Sequence, residues 1–132
     1  MKNPDIEIYV KDANGEIISE WLQDFFDSIN MPKLNNQSFS KGHTIQGTVS
    51  TVLGDKIPVM ITPHASGKAF CSIWFKSDKT AWDNDEACAL SFLQKNNTEV
   101  RCSAGSWAED EDLESEQWLS LTPNEKKLIP WG

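Results

Sequence analysis

The sequence predicts an α+β fold: a single domain over residues 1–132, with a mainly antiparallel sheet of about five strands, two helices and an acidic C-terminal segment over 106–132. Three observations carry that expectation. Runs rich in β-branched and aromatic residues at 44–53, 56–62 and 69–76 follow one another with only turn residues between them, as in an antiparallel meander. An apolar stripe from Ser19 onward has helical period. "IEIYV" at 6–10 and "EVRCSA" at 99–104 alternate apolar and polar residues with period two.

Taken in order, Ile6, Ile8 and Val10 form the dry side of a first strand, and Asn14-Gly15 supplies a turn. Ser19 is a good N-cap, and Trp21, Leu22, Phe25, Phe26 and Ile29 fall on one side of a helix that Met31-Pro32 ends. Residues 32–43, polar and without period, read as a long connecting loop. Gly54-Asp55 and "HASGK" separate the three meander strands. Pro58 removes a ladder donor, which places the 56–62 strand at an edge or beside a bulge. Thr80 and Asp83 form a weak capping box before a second helix over roughly 81–95, with Ala87, Leu90 and Leu93 toward the sheet. Val100, Cys102 and Ala104 give the last strand its dry side. Thr122, Pro123 and Glu125 occupy N-cap, N1 and N3 of a short helical turn. The predicted order is β-α-β-β-β-α-β.

Composition narrows the function classes. The chain carries a net charge of −8, and residues 81–132, with eleven acids and four bases, hold −7 of it. A surface of that sign repels nucleic acid, anionic membranes and phosphorylated substrates and attracts basic partners. Arg101 is the only arginine, which argues against nucleic-acid readout, where guanidinium groups dominate. No apolar run has the length of a membrane span or the character of a secretory signal, so a cytoplasmic location is expected. Cys71, Cys88 and Cys102 are odd in number and widely spaced, which suits reduced, buried thiols.

Motifs for chemistry fail individually. His43, His64 and the three cysteines lack the short spacing of a structural zinc site. The acidic run has Leu113 and Glu114 where a calcium loop needs a glycine. "HASGKAF" lacks the first glycine and the Ser/Thr of a phosphate loop. No serine sits in a nucleophile elbow, and pairing Cys88 with His64 has no motif behind it. No catalytic residue, metal or cofactor is therefore assigned.

What remains is "WAEDEDLESEQW" at 107–118, six carboxylates closed at each end by a tryptophan. Blocks of like charge are usually solvated, and a solvated loop is one reading. The other uses the tryptophans: Trp107, Glu109, Asp110, Glu111, Asp112, Glu114, Glu116 and Trp118 form an acidic rim around aromatic anchors suited to a basic protein. The leading expectation is a non-catalytic acidic cytoplasmic binding protein, an inhibitor or immunity-type protein for a basic, nucleic-acid-acting partner. Two rivals stand beside it: a small hydrolase or transferase with a cleft near His64 or Cys88, and a structural or regulatory homodimer pairing through the edge near Pro58.

Overall fold

The computed structural model describes residues 5–66, 69–103 and 117–130. It is an α+β fold with one antiparallel sheet, but the sheet has eight strands rather than about five. In chain order the elements are β1 (Ile6–Lys11), α1 (Gly15–Phe25), β2 (Ser28–Asn30), α2 (Asn36–Lys41), β3 (Ile45–Ser50), β4 (Lys56–Ser66), β5 (Phe70–Phe75), α3 (Asp85–Leu93), β6 (Val100–Ser103), β7 (Gln117–Thr122) and β8 (Glu125–Pro130). Across the sheet they run β2-β3-β4-β5-β1-β6-β7-β8. The first strand of the chain therefore lies inside the sheet, with one meander on each flank.

Alternation in β1 sets the two faces. Ile6, Ile8 and Val10 are fully buried, whereas Glu7, Tyr9 and Lys11 are only partly covered. The dry face continues through Ile73 and Phe75, Val59 and Ile61, Val49, Val100 and Cys102, and Leu119 and Leu121. Against it pack Ile18, Trp21 and Leu22 of α1, Phe39 of α2, and Cys88, Ala89 and Phe92 of α3. Trp21 stacks on Trp82 at 5.5 Å and 13°, with Phe25, Phe26, Phe75 and Phe92 packed around the pair.

Helix boundaries differ from the sequence expectation for local reasons. The Asn14 side chain accepts from Ile17 N–H at 2.9 Å, so Asn14-Gly15 is a cap and first turn, and α1 starts four residues before Ser19. It ends at Phe25 because residues 28–30 pair with β3, and as a strand residue Ile29 still meets Val49. Residues 36–41, read as loop, make the short α2, capped by Asn35 on Ser38 N–H at 2.8 Å and closed by Gly42 at φ +74°. Its single buried residue, Phe39, leaves no period to detect. Asn84 rather than Thr80 caps α3; buried Thr80 donates to the Trp82 carbonyl at 3.2 Å, in a loop that carries Trp82 into the core. The sheet side of α3 is Cys88, Ala89 and Phe92, not Leu90, which is 44% exposed.

Two strand assignments are corrected as well. Thr122 pairs with Glu125, so "TPNE" is a two-residue hairpin turn between β7 and β8 and not a helical turn. Strand β4 is paired on both sides, which removes the edge near Pro58 and with it the homodimer contact expected there. The Pro58 carbonyl accepts from Lys76 N–H at 2.9 Å. In an antiparallel strand a residue's N–H faces the same neighbour as its carbonyl, so the donor missing at Pro58 falls one residue past the end of β5. The bulge in β4 lies between Thr62 and Ser66 instead. Nor is 54–55 a two-residue hairpin turn: the loop spans 51–55, closed by Thr51 N–H to the Asp55 carbonyl at 2.9 Å. The true edges are β2, three residues long, and β8, which carries Lys126, Lys127 and Pro130; shortness, charge and proline all discourage edge pairing.

Gly47 sits where β3 passes the β2 edge, and a Cβ there would collide with the Asn30 carbonyl oxygen and the Met31 side chain. Gly47→Ala is expected to destabilise the fold by about 2 kcal/mol, the scale of overpacking. Asn14→Ala, which removes one cap bond, should cost about 1 kcal/mol. Urea midpoints at constant m-value test both, and the wrong order would refute the close approach at Gly47.

Candidate functional site on the sheet face away from the helices

The polar positions of the strands assemble a second face, and among the described residues no helix packs on it. Register places Met60, Trp74 and Glu7 side by side across β4, β5 and β1, and Ser103, Trp118 and Ile129 side by side across β6, β7 and β8. The neighbouring row is Thr62, Ser72, Tyr9, Arg101, Ser120 and Lys127. Tyr9 meets Trp118 edge-on, with ring centroids 5.5 Å apart. The Trp74 indole N–H donates to Asp5 Oδ2 at 2.9 Å, and the Lys76 ammonium lies 4.6 Å above the Trp74 ring. Ser72 and Ser120 are covered and buried although their register places them on this second face.

Charges on this face are perturbed by that cover. Burial pushes the Glu7 carboxyl above its usual value; a hydrogen bond from Ser72 opposes the shift and Asp5 adds to it. Tyr9 is raised by burial and by Glu7. Below Glu7, Asp85 at the start of α3 accepts from the Glu7 N–H at 3.2 Å, and burial pushes its carboxyl up to about 6, with Asp5 and Glu7 adding to the rise. On the β6–β8 side, burial alone would raise Glu99. Hydrogen bonds from Ser120 at 2.6 Å and Arg101 at 2.7 Å, with the Arg101 and Lys11 charges, bring it below the usual carboxylate value. The lone arginine also lies 4.6 Å over the Phe70 ring.

Of the residues expected to bind a partner, Trp118 is half-buried on this face, paired with Ser103 and Ile129. Trp107, Glu109, Asp110, Glu111, Asp112, Glu114 and Glu116 lie outside the described residues. Ser103 and Trp118, on either side of that segment in the sequence, are register partners in the β6–β7 ladder. Trp74 belongs to this face and not to the core. Glu7, Tyr9 and Trp74 were missed as site residues, although their polar parity in "IEIYV" and "CSIWF" was the signal that would have found them.

The cleft expected near His64 or Cys88 is not one site. His64 is exposed at φ +57° and lines a cavity of about 200 Å³ with Phe39, Ser40 and Cys71, while Cys88 is fully buried in α3. Burial pushes Cys71 and Cys102 to about 12, and it drives Cys88 upward too, with Asp85 and Cys102 adding to the shift. Activated thiols have lowered values and positive surroundings, the reverse of this. Among the described residues no three His, Cys, Asp or Glu side chains gather as a metal site, and no helix is long and apolar enough to cross a membrane. Comparison with protein-family models, with curated proteins and with solved structures gives no match in any of the three.

Two outcomes follow from these shifts. In the native state at pH 8 none of Cys71, Cys88 and Cys102 should react with a thiol-disulfide reagent within minutes, and all three should react in denaturant; a fast native thiol would reopen nucleophilic chemistry. For Asp85, a folded-state value near 6 against an ordinary 3.8 means that its ionisation favours the unfolded chain. That cost is absent below about pH 4, grows between pH 4 and 6, and is full above. Asp85→Asn, whose amide oxygen still accepts from Glu7, should raise the melting temperature at pH 7.5 and not at pH 4. Equal gains at both pH values would contradict the assignment.

Proposed function

We propose that this chain is a non-catalytic binding protein whose partner is a basic protein, and that the acidic connection 104–116 together with the aromatic face beside it forms the binding surface. One observation carries the reading: a sheet face presents Trp118, Tyr9 and Trp74, and in the sequence six carboxylates precede Trp118. Carboxylates raise the encounter rate with a positive partner, and partly covered rings supply the apolar area that holds it. Blocking a nucleic-acid-acting protein, in the manner of an inhibitor or immunity protein, is the role that this charge and the scarcity of arginine suit.

The test is capture from the native cell lysate at low and raised salt, beside a version with the six carboxylates between Glu109 and Glu116 changed to Asn or Gln. A single basic protein should be retained, should fade as salt rises, and should fall by about tenfold or more on neutralisation. Binding indifferent to salt and to the substitutions would overturn the proposal.

A further inference from the structure

Resting on the basic-partner reading above, we infer that the β4–β5–β1 part of the far face is a seat for an arginine side chain of the partner, stacked on Trp74 and paired with Glu7. Glu7 and Trp74 are register partners, so a flat cation lying on the indole meets a carboxylate in the next strand. Guanidinium is the cation that both stacks on an aromatic face and pairs in a two-toothed way with a carboxylate.

Four features of the free protein prepare the seat. The Trp74 ring already attracts a cation, since the Lys76 ammonium lies 4.6 Å above it. Asp5 holds the indole by its N–H at 2.9 Å, which fixes the ring plane and adds negative charge at its edge. Ser72, buried in the neighbouring row, offers a hydroxyl that favours the charged form of Glu7. Met60 lies on the opposite side of Trp74 from Glu7 and closes the row with an adaptable apolar side chain. Partial burial has already removed some of the water around Glu7, so a pairing cation restores solvation that the free protein lacks. Lys76 is then a self-ligand, displaced when the partner's arginine arrives.

Titrating the isotope-labelled full chain with a hexa-arginine peptide at low salt tests the seat by NMR, with a hexa-glutamate peptide as control. The Trp74 indole N–H and the amides of Glu7 and Ser72 should shift saturably with the arginine peptide only. Trp74→Leu and Glu7→Gln should each weaken binding by about fivefold or more. Lys76→Met should tighten it by more than Lys79→Met, which changes the net charge equally but has no ring beneath it. Should Trp74→Leu and Glu7→Gln leave affinity unchanged while neutralising 109–116 abolishes it, the seat is wrong and the acidic segment stands alone. The converse pattern upholds the seat and removes the segment from the surface. Absence of peptide binding by the folded native chain would overturn both.

Discussion

Strand β1 joins two sheets that would otherwise be separate. On one flank β2, β3, β4 and β5 form a meander, on the other β6, β7 and β8 form a second, and only β1 pairs with both. Its contact with β5 covers six register pairs and its ladder with β6 only two, Tyr9 with Arg101 and Val10 with Val100. The thin side is reinforced from outside the ladder. Lys11 N–H donates to the Glu99 carbonyl at 3.0 Å, the Thr98 hydroxyl donates to the Lys11 carbonyl at 2.7 Å, and the Asp85 carboxylate takes the Glu7 N–H. Without these bonds the centre of the sheet would present two bare edges, the kind of surface on which foreign strands pair. An early, apolar strand paired on both sides is thus the condition for one sheet instead of two.

The helices complete what β1 begins. Trp21 donates its indole N–H to Ser91 Oγ at 3.2 Å, and Ser91 donates in turn to the Cys88 carbonyl at 2.6 Å. This joins α1 to α3 across the two halves of the sheet with no unsatisfied side-chain polar group among the described residues. Trp82 stacked on Trp21 explains why α3 starts late. Residues 80–84 are used to thread a large ring under α1, and a helix begun at Thr80 would have pointed that ring elsewhere.

Period-two alternation was the reliable part of the sequence. Five strands were read at nearly their observed places, because each has one fully dry side, as Ile6, Ile8 and Val10 do. The three strands missed have reasons. Strand β2 is three residues long and its one inward residue, Ile29, also satisfies helical spacing after Phe26. Strands β7 and β8 surround Thr-Pro-Asn-Glu, whose residues suit a helix cap and a hairpin turn equally well, and only pairing between distant residues decides. Asn14-Gly15 failed in the opposite sense, a turn dipeptide used as a cap. Of the candidate site, the acidic run and Trp118 stand out in the sequence. The outward parity of Glu7, Tyr9 and Trp74 was legible too, but not that they lie together, because that follows only from the β1–β5 register.

The far face also bears a cost that its core does not explain. Glu7 and Asp85 are both acids pushed upward by burial, with Asp5 alongside to oppose their ionisation. A sheet selected for stability alone would place threonine or valine at the Glu7 position, where β-branched side chains pack well against cross-strand neighbours. Here a carboxylate occupies the outward position of the central strand, next to a tryptophan that is only partly covered. Across the same face the sole arginine is spent on Glu99, so its positive charge is neutralised internally. A carboxylate that weakens the fold beside an aromatic ring is a cost that packing does not explain, and the position of Lys76 over Trp74 gives the geometry in which a cation rests on this face.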